Sequence, residues 1–416
     1  MAVSASRSVT IPERYKAVFN GARKMKGQRG VPPRSSPRCE AISRRNWLKL
    51  GIGGALGTLT PFDLLRNAEI SQQSDEPPTF SVVPVVGDGH WIWNKPPEGP
   101  TGYLEPRSFD VSMGIELQGR GEAANVVATT TLPIECPEQK IENEQVRTQG
   151  CLAEIRQVGE QARQLVLRTP GIVAGQVIRA TVKSTVTVCK QYHGYHREMF
   201  PAEQSVPPAV RRLYLGNSPG IQTHSAEVRA LYDELSQGHN HPWDRAARFA
   251  AWIPRNIRAH IGPFTGVLKA LADRRGDCAE MSAVFVALCR AGGIPARLVW
   301  VPNHNWAEFY LTDQHGQGHW IPAHTACYFW FGWTGAHELV LQKGDRLQVP
   351  ERKGYFRLLE DWAQWMGKRP AVRYPAELVP KPSAPGADAG PGGRSKIETG
   401  EWQVVGNHPL NRYVRR

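Results

Sequence analysis

The stretch from Arg274 to Pro295 constrains this chain most. Met281, Val284, Phe285 and Leu288 fall at i, i+3, i+4 and i+7, one apolar stripe of a helix. Asp277 stands just before the stripe and Glu280 three residues later, the spacing of a capping box. Gly292 and Gly293 sit where the helix must stop, and Pro295 follows. The spacing predicts a buried helix that starts at Asp277 and carries Cys278 in its first turn. Unpaired N–H groups and the positive end of the helix dipole stabilise a thiolate there, so the thiol pKa falls. Arg274 and Arg275 are expected to add positive charge close by. An inert buried thiol would fit the same position.

The residues that follow favour chemistry. His304-Asn-Trp-Ala-Glu-Phe-Tyr-Leu311 alternates like a strand, with His304, Trp306, Glu308 and Tyr310 on one face. Asp313-Gln-His-Gly-Gln-Gly318 reads as a hairpin loop, and His319-Trp-Ile-Pro-Ala-His324 as a second strand. A helix-start cysteine is thus followed by two neighbouring strands that each carry histidine. A Cys–His nucleophile pair needs this arrangement: a base in reach of the thiol, held by a third polar group.

Gly276-Asp-Cys278-Ala-Glu280, Gly293-Ile-Pro-Ala-Arg297, His304-Asn-Trp-Ala-Glu-Phe-Tyr310 and Trp320-Ile-Pro-Ala-His324 together resemble the transglutaminase-like superfamily, the papain-like Cys-His-Asp fold. The resemblance implies Cys278 as nucleophile and His304 as base, with no metal or organic cofactor. It departs at one place. The family pattern Trp-x-Pro-x-Asp-Pro-Thr reads here Trp320-Ile-Pro-Ala-His324-Thr-Ala. His324 would then orient His304 as an acceptor, without a negative charge. With an ordinary pKa near 6.5 it would lose that acceptor on protonation. Glu308 and Asp313 are the competing orienting groups.

Charge locates the rest. The formal net charge is +13, yet residues 1–50 hold twelve Lys and Arg against Glu13 and Glu40, which leaves +3 for everything after. A nearly balanced folded part argues against nucleic acid. Ser43-Arg44-Arg45-Asn46-Trp47-Leu48-Lys49 resembles a twin-arginine export signal, followed by the glycine-rich apolar stretch Leu50–Pro61. The expected partners are the twin-arginine export machinery and a protein or peptide substrate. The expected location is the periplasm or cell envelope, with membrane attachment only through an uncleaved signal. Disulfides can form there, and Cys136 and Cys151 flank a polar loop and could pair. Cys189, Cys289 and Cys327 read as buried thiols.

From 107 to 205 short β-rich runs recur, among them Phe109–Leu117, Asn125–Leu132 and Gln176–Val188, as in a β-sandwich. Cys189, His193 and His196 have loosely metal-like spacing without a fourth ligand, and read as surface groups. Ser225–Leu235 and Pro242–Ile253 are helical in period, with His239 and His241 in a solvated turn. Tyr328-Phe-Trp-Phe-Gly-Trp333 reads as core filling, or as an apolar wall beside the cysteine. Phe356–Trp365 reads as a helix and Pro380–Gly393 as disordered low complexity.

The whole predicts an α+β chain: a papain-like transglutaminase core, its nucleophile helix packed on an antiparallel sheet, preceded by a β-sandwich-like domain. The expected segments are a signal over 1–70, a linker over 71–106, the sandwich over 107–205, the catalytic domain over 207–345 and an extension over 346–416. The expected function is acyl transfer from amide or isopeptide bonds through Cys278, His304 and His324, as protease or amidase before cross-linking enzyme. The competing reading is a non-catalytic module that binds protein or cell-wall peptide.

Overall fold

The computed structural model describes residues 93, 95–260, 262–302, 304–326 and 330–382, with the backbone of Trp402–Val404 and Tyr413–Arg415. All belong to one compact unit, Ser74–Arg416. The export segment, Cys39, Cys327 and most of the low-complexity stretch lie outside the described residues.

Six strands come first: β1 (Gly102–Gln118), β2 (Ala123–Leu132), β3 (Gln139–Gln149), β4 (Leu152–Val158), β5 (Ala162–Ile172) and β6 (Val177–Tyr192). β6 pairs with β1 and β3, while β5 pairs with β2 and β4, all antiparallel. Alternate residues point inward, as the two-residue strand period requires. Phe109, Val111, Met113, Ile115 and Leu117 of β1 meet Val126 and Ala128 of β2 and Leu165 and Leu167 of β5 in one core. This is the β-rich, sandwich-like layer.

Cys136 and Cys151 are free thiols. The eleven residues of β3 lie between them, and at about 3.3 Å per residue they carry the two thiols to opposite ends of a strand. The Cys151 thiol donates to the Arg179 carbonyl instead, at 3.2 Å. Cys289 is fully buried, while Cys189 is only half-buried.

Helices follow: α1 (Pro208–Tyr214), α2 (Ala226–Ser236), α3 (Pro242–Asn256), α4 (Val267–Asp273) and α5 (Cys278–Ala291). His241 is buried rather than solvated. Its Nδ1 accepts from Trp243 N at the start of α3, and its Nε2 donates to the Phe200 carbonyl at 2.9 Å. α5 is buried from Cys278 to Arg290. It packs between Phe249, Ala250 and Ile253 of α3 and Leu298, Ala307, Phe309 and Leu311 of the sheet beneath.

That sheet contains β7 (Ala296–Val301), β8 (His304–Thr312), β9 (Gly318–His324) and the short β10 (Trp330–Phe331). It does not end at the helical region. Two residues, β11 (Gln342–Lys343), pair with β7 on one side and β5 on the other, so one sheet, nine-stranded among the described residues, runs from beneath α5 into the sandwich.

The segment Phe356–Trp365 is not a helix. Arg352–Phe356 pairs with Leu347–Val349, and β12 (Trp362–Gly367) adds to the edge of β2. Asp361 accepts from Thr130 Oγ1 at 2.6 Å and pins the entry of that strand. Pairing to an open edge overrides the local helical period. β13 (Ala376–Pro380) pairs with β1 in the other sheet.

Buried charges fix the joint at β11. Lys343 Nζ bonds Glu308 of β8 at 2.8 Å and Glu138 at 2.5 Å. Arg290, near the end of α5, donates from Nη2 to both oxygens of Asp345 at 2.8 and 2.9 Å. Asp345 also accepts from Leu298 N at 3.1 Å. Both side chains of the Arg290–Asp345 pair are essentially sealed from solvent. Removing one member of such a pair strands the other charge. Asp345→Ala should therefore lower unfolding stability by about 3–5 kcal/mol, read by urea denaturation. A loss below about 1 kcal/mol, the scale of a surface pair, would show that the clamp does not hold helix to sheet.

Candidate active site

The start of α5 is built as its sequence dictates. Ala279 N donates to Asp277 Oδ1 at 2.8 Å, and Asp277 N donates to Glu280 Oε2 at 3.1 Å, which closes the capping box. Glu280 Oε1 also accepts from Thr265 N at 2.6 Å. Burial, then the neighbouring Glu280 carboxyl, push Asp277 up to about 7. Cys278 follows in the first turn, 8 % exposed. The two arginines before it are engaged with other partners: Arg274 lies over the Trp252 ring at 5.0 Å, and Arg275 pairs with Asp273 at 3.5 Å.

β8 passes this terminus as a central strand, buried at all nine positions. Its odd-numbered residues Ala307, Phe309 and Leu311 face the helices, while Trp306 joins Val299, Val301, Ile134 and Val340 on the opposite face. At the start of the strand, Asn305 donates from Nδ2 to Cys278 Sγ at 3.7 Å.

The register of β8 and β9 places the third group. Ala307 opposes Ala323 and Glu308 opposes Pro322, so His324 sits across from Trp306 and diagonal to His304 on one face. Diagonal neighbours are within reach of aromatic rings. His304 Nε2 lies 3.4 Å from His324 Nδ1. The His324 ring stacks on Trp306 at 4.9 Å and meets the edge of Trp330 at 4.8 Å. Both histidines are buried, His324 at 1 % exposure.

Behind His324 stands a carboxyl. Glu338 Oε2 is 3.8 Å from His324 Nε2. Glu338 belongs to the connection between β10 and β11, pinned where Val340 N donates to Gln139 Oε1 at 2.7 Å and Leu341 N to the Trp300 carbonyl at 2.8 Å. Leu339 and Leu341 anchor it in the sandwich core.

Electrostatics follow from burial. It pushes His304 down to about 3 and Glu338 up to about 8. Burial, then His304, push His324 well below the ordinary histidine value. His324 therefore does not titrate near 6.5, because its imidazolium would be desolvated, and its acceptor nitrogen survives mild acid.

The competing orienting groups are committed elsewhere. Glu308 accepts from Arg297 Nε and Lys343 Nζ, each at 2.8 Å. Asp313 pairs with His319 at 2.8 Å and accepts from His315 N and Gln317 N in the hairpin loop. His193 stacks on Tyr195 at 5.1 Å, while His196 pairs with Glu198, apart from any metal-like grouping with Cys189. The aromatic run divides. Phe331 fills the helical core against Phe309 and Trp243, whereas Trp330 borders His324.

Sequence reasoning missed Asn305 and Glu338. Asn305 lies inside the His304-Asn-Trp306 motif and could have been noticed as a polar residue on the helix-facing side of the strand. Glu338 has no spacing signal, because only the tertiary path of its connection brings it to His324.

Residues 229–325 match the family model described as the Transglutaminase-like superfamily. No curated protein matches. Among solved structures, the chain is similar to one provisionally described as a cysteine protease from Cytophaga hutchinsonii, at 15 % identity and a TM-score of 0.45, covering 65 % of this chain and 91 % of that one. It is also similar to a provisionally described protease from Parabacteroides distasonis, at 12 % identity and a TM-score of 0.23, covering 53 % and 44 %. Both likenesses are distant, and neither bears on the chemistry of the site. Over residues 229–325 the family match and the α5–sheet architecture agree on a transglutaminase-like fold.

Proposed function

We propose that the protein is a transglutaminase-like cysteine enzyme that opens amide or isopeptide bonds through a thioester on Cys278. The observation that supports it most is the meeting of two element ends. The first turn of α5 brings Cys278 Sγ to the first residues of β8, where Asn305 contacts it and His304 is the next residue along.

In this reading His304 takes the thiol proton and Sγ attacks the carbonyl carbon. The C–N bond breaks, and the amine leaves with the proton that His304 returns. His304 bonds His324 through Nε2, so Nδ1 is the nitrogen that serves the thiol. The N–H groups of the first turn of α5 and the Asn305 amide stabilise negative charge as it develops on sulfur. Water or an amine then attacks the thioester. Hydrolysis is favoured because an exported enzyme meets peptide substrates in abundant water. No step as written uses a metal or an organic cofactor.

One observation favours the other class. A thiol only 8 % exposed is also what a peptide-binding module with an inert cysteine would show. Variants separate the two. Cys278→Ala should abolish amide hydrolysis and amine incorporation alike, measured on a panel of peptides. His304→Ala should slow both by roughly 10²–10⁴-fold. Activity that survives in Cys278→Ala would exclude the thioester route.

Export is proposed from Arg44-Arg45 and the glycine-rich stretch behind them. The partners in this reading are the twin-arginine machinery and then a protein or peptide substrate in the periplasm or envelope. Arg44→Lys with Arg45→Lys should leave folded protein in the cytoplasm on cell fractionation. A double variant that still reaches the periplasm would contradict the targeting.

A further inference from the structure

Arg357 is a half-buried cation without an acid partner among the described residues. Its guanidinium lies against two aromatic rings, 3.4 Å from the centre of Phe264 and 4.9 Å from that of Trp300. Its Nη1 is sealed from solvent with no hydrogen-bond partner. The acids around it are committed elsewhere. Asp277 and Glu280 close the capping box, Glu280 also holds Thr265 N, and Asp345 holds Arg290. Glu360 is exposed. Stacking on rings holds the guanidinium in place but supplies no counter-charge. Burial pulls Arg357 down to about 10, so it is still charged at neutral pH.

Both rings place this cation beside the start of α5. Phe264 precedes Thr265, whose N–H and hydroxyl bond Glu280 in the first turn. Trp300 of β7 stands across from Asn305 of β8, and Asn305 is the residue that contacts Cys278 Sγ. Trp300 lies on the helix-facing side of the sheet, in the core that α5 covers. The backbone of Arg357 is fixed as well. Its carbonyl accepts from Gln342 Nε2 of β11 at 2.8 Å, and Leu359 N donates to Gln342 Oε1 at 3.1 Å.

We propose that Arg357 is the substrate-anchoring group of this site and binds a carboxylate of the peptide within about three residues of the scissile amide. The proposal rests on the reading of Cys278 as nucleophile. Side chains paired across two strands stand about 5 Å apart, which puts the guanidinium on the order of 10 Å from the sulfur. An extended peptide covers that distance in about three residues. A guanidinium grips a carboxylate through two parallel N–H···O bonds, and the planar fork of Arg357 is already held flat by its rings. No bond forms or breaks at Arg357. It selects which amide reaches Cys278. The carboxylate belongs to an Asp or Glu side chain or to the C-terminus of the peptide.

The test uses reagents that alkylate Cys278 without turnover, read by peptide mapping. Peptidyl chloromethyl ketones extend to the acyl side of the site and chloroacetyl peptides to the amine side. Each series carries a single Glu, or Gln in its place, at the first, second or third residue from the reactive carbon, with any C-terminus amidated. A further chloroacetyl series has no acidic side chain and ends at the same distances in a free or an amidated carboxyl. In the wild type one acidic reagent should label Cys278 about tenfold faster than its neutral twin, the scale of one charge-assisted bond. The series in which it falls tells side chain from C-terminus. In Arg357→Gln that ratio should drop to near one. A merely structural arginine would leave the ratio where it was. That result, or equal rates for acidic and neutral twins throughout the wild-type panel, overturns the proposal. If Arg357→Gln does not fold, Arg357→Lys carries the test. A point charge without the fork should lower the ratio to roughly threefold, and an undiminished ratio there overturns the anchoring role. Failure of the underlying reading looks different: wild-type Cys278 would react with iodoacetamide no faster than the buried Cys289.

Discussion

The structure depends on the buried charges around β11. Lys343 ties Glu308 of the histidine strand to Glu138 of the sandwich. Two residues later Asp345 holds Arg290 at the far end of α5. Burial alone would lower Lys343, but Glu138 and Glu308 together hold it above the usual lysine range. Glu308 is depressed in turn, because Lys343 and Arg297 outweigh its own desolvation. Such a cluster gives little net stability over an apolar core of the same shape, yet any single deletion leaves an uncompensated charge. Its value here is positional. It sets the helix that carries Cys278 and the strand that carries His304 against one rigid frame.

The same frame buries three titratable groups. His304, His324 and Glu338 are each buried enough to resist charge. The sandwich contributes directly, since the connection bearing Glu338 is anchored by Leu339 and Leu341 in its core. In the family pattern an aspartate occupies the place of His324. Here a longer, neutral ring spans that place, and the carboxyl stands one step further back. The β-rich layer thus anchors the connection that borders His324.

Much of this was legible in the chain. The capping residues Asp277 and Glu280 and the stripe Met281–Leu288 placed the helix start at the observed residue. The alternation of 304–312 and the loop at Asp313–Gly318 gave the hairpin, and with it the diagonal approach of His304 and His324. What stayed hidden is what tertiary pairing decides. A two-residue strand such as β11 has no period to read. Phe356–Trp365 has a helical period but meets an open strand edge. Cys136 and Cys151 are close in sequence and far apart in space, because an extended strand separates them. Glu338 sits before an apolar run like many surface acids, and only the fold turns it inward.

The central claim is that Cys278 is an acyl-accepting nucleophile. Reaction with an activated ester, p-nitrophenyl acetate, tests it without knowledge of the natural substrate. Rapid mixing at neutral pH should release a burst of p-nitrophenolate close to one equivalent per chain, with the acetyl group found on Cys278 by peptide mapping. A burst no larger than that of Cys278→Ala, or acetyl groups found only on surface lysines, would contradict the account.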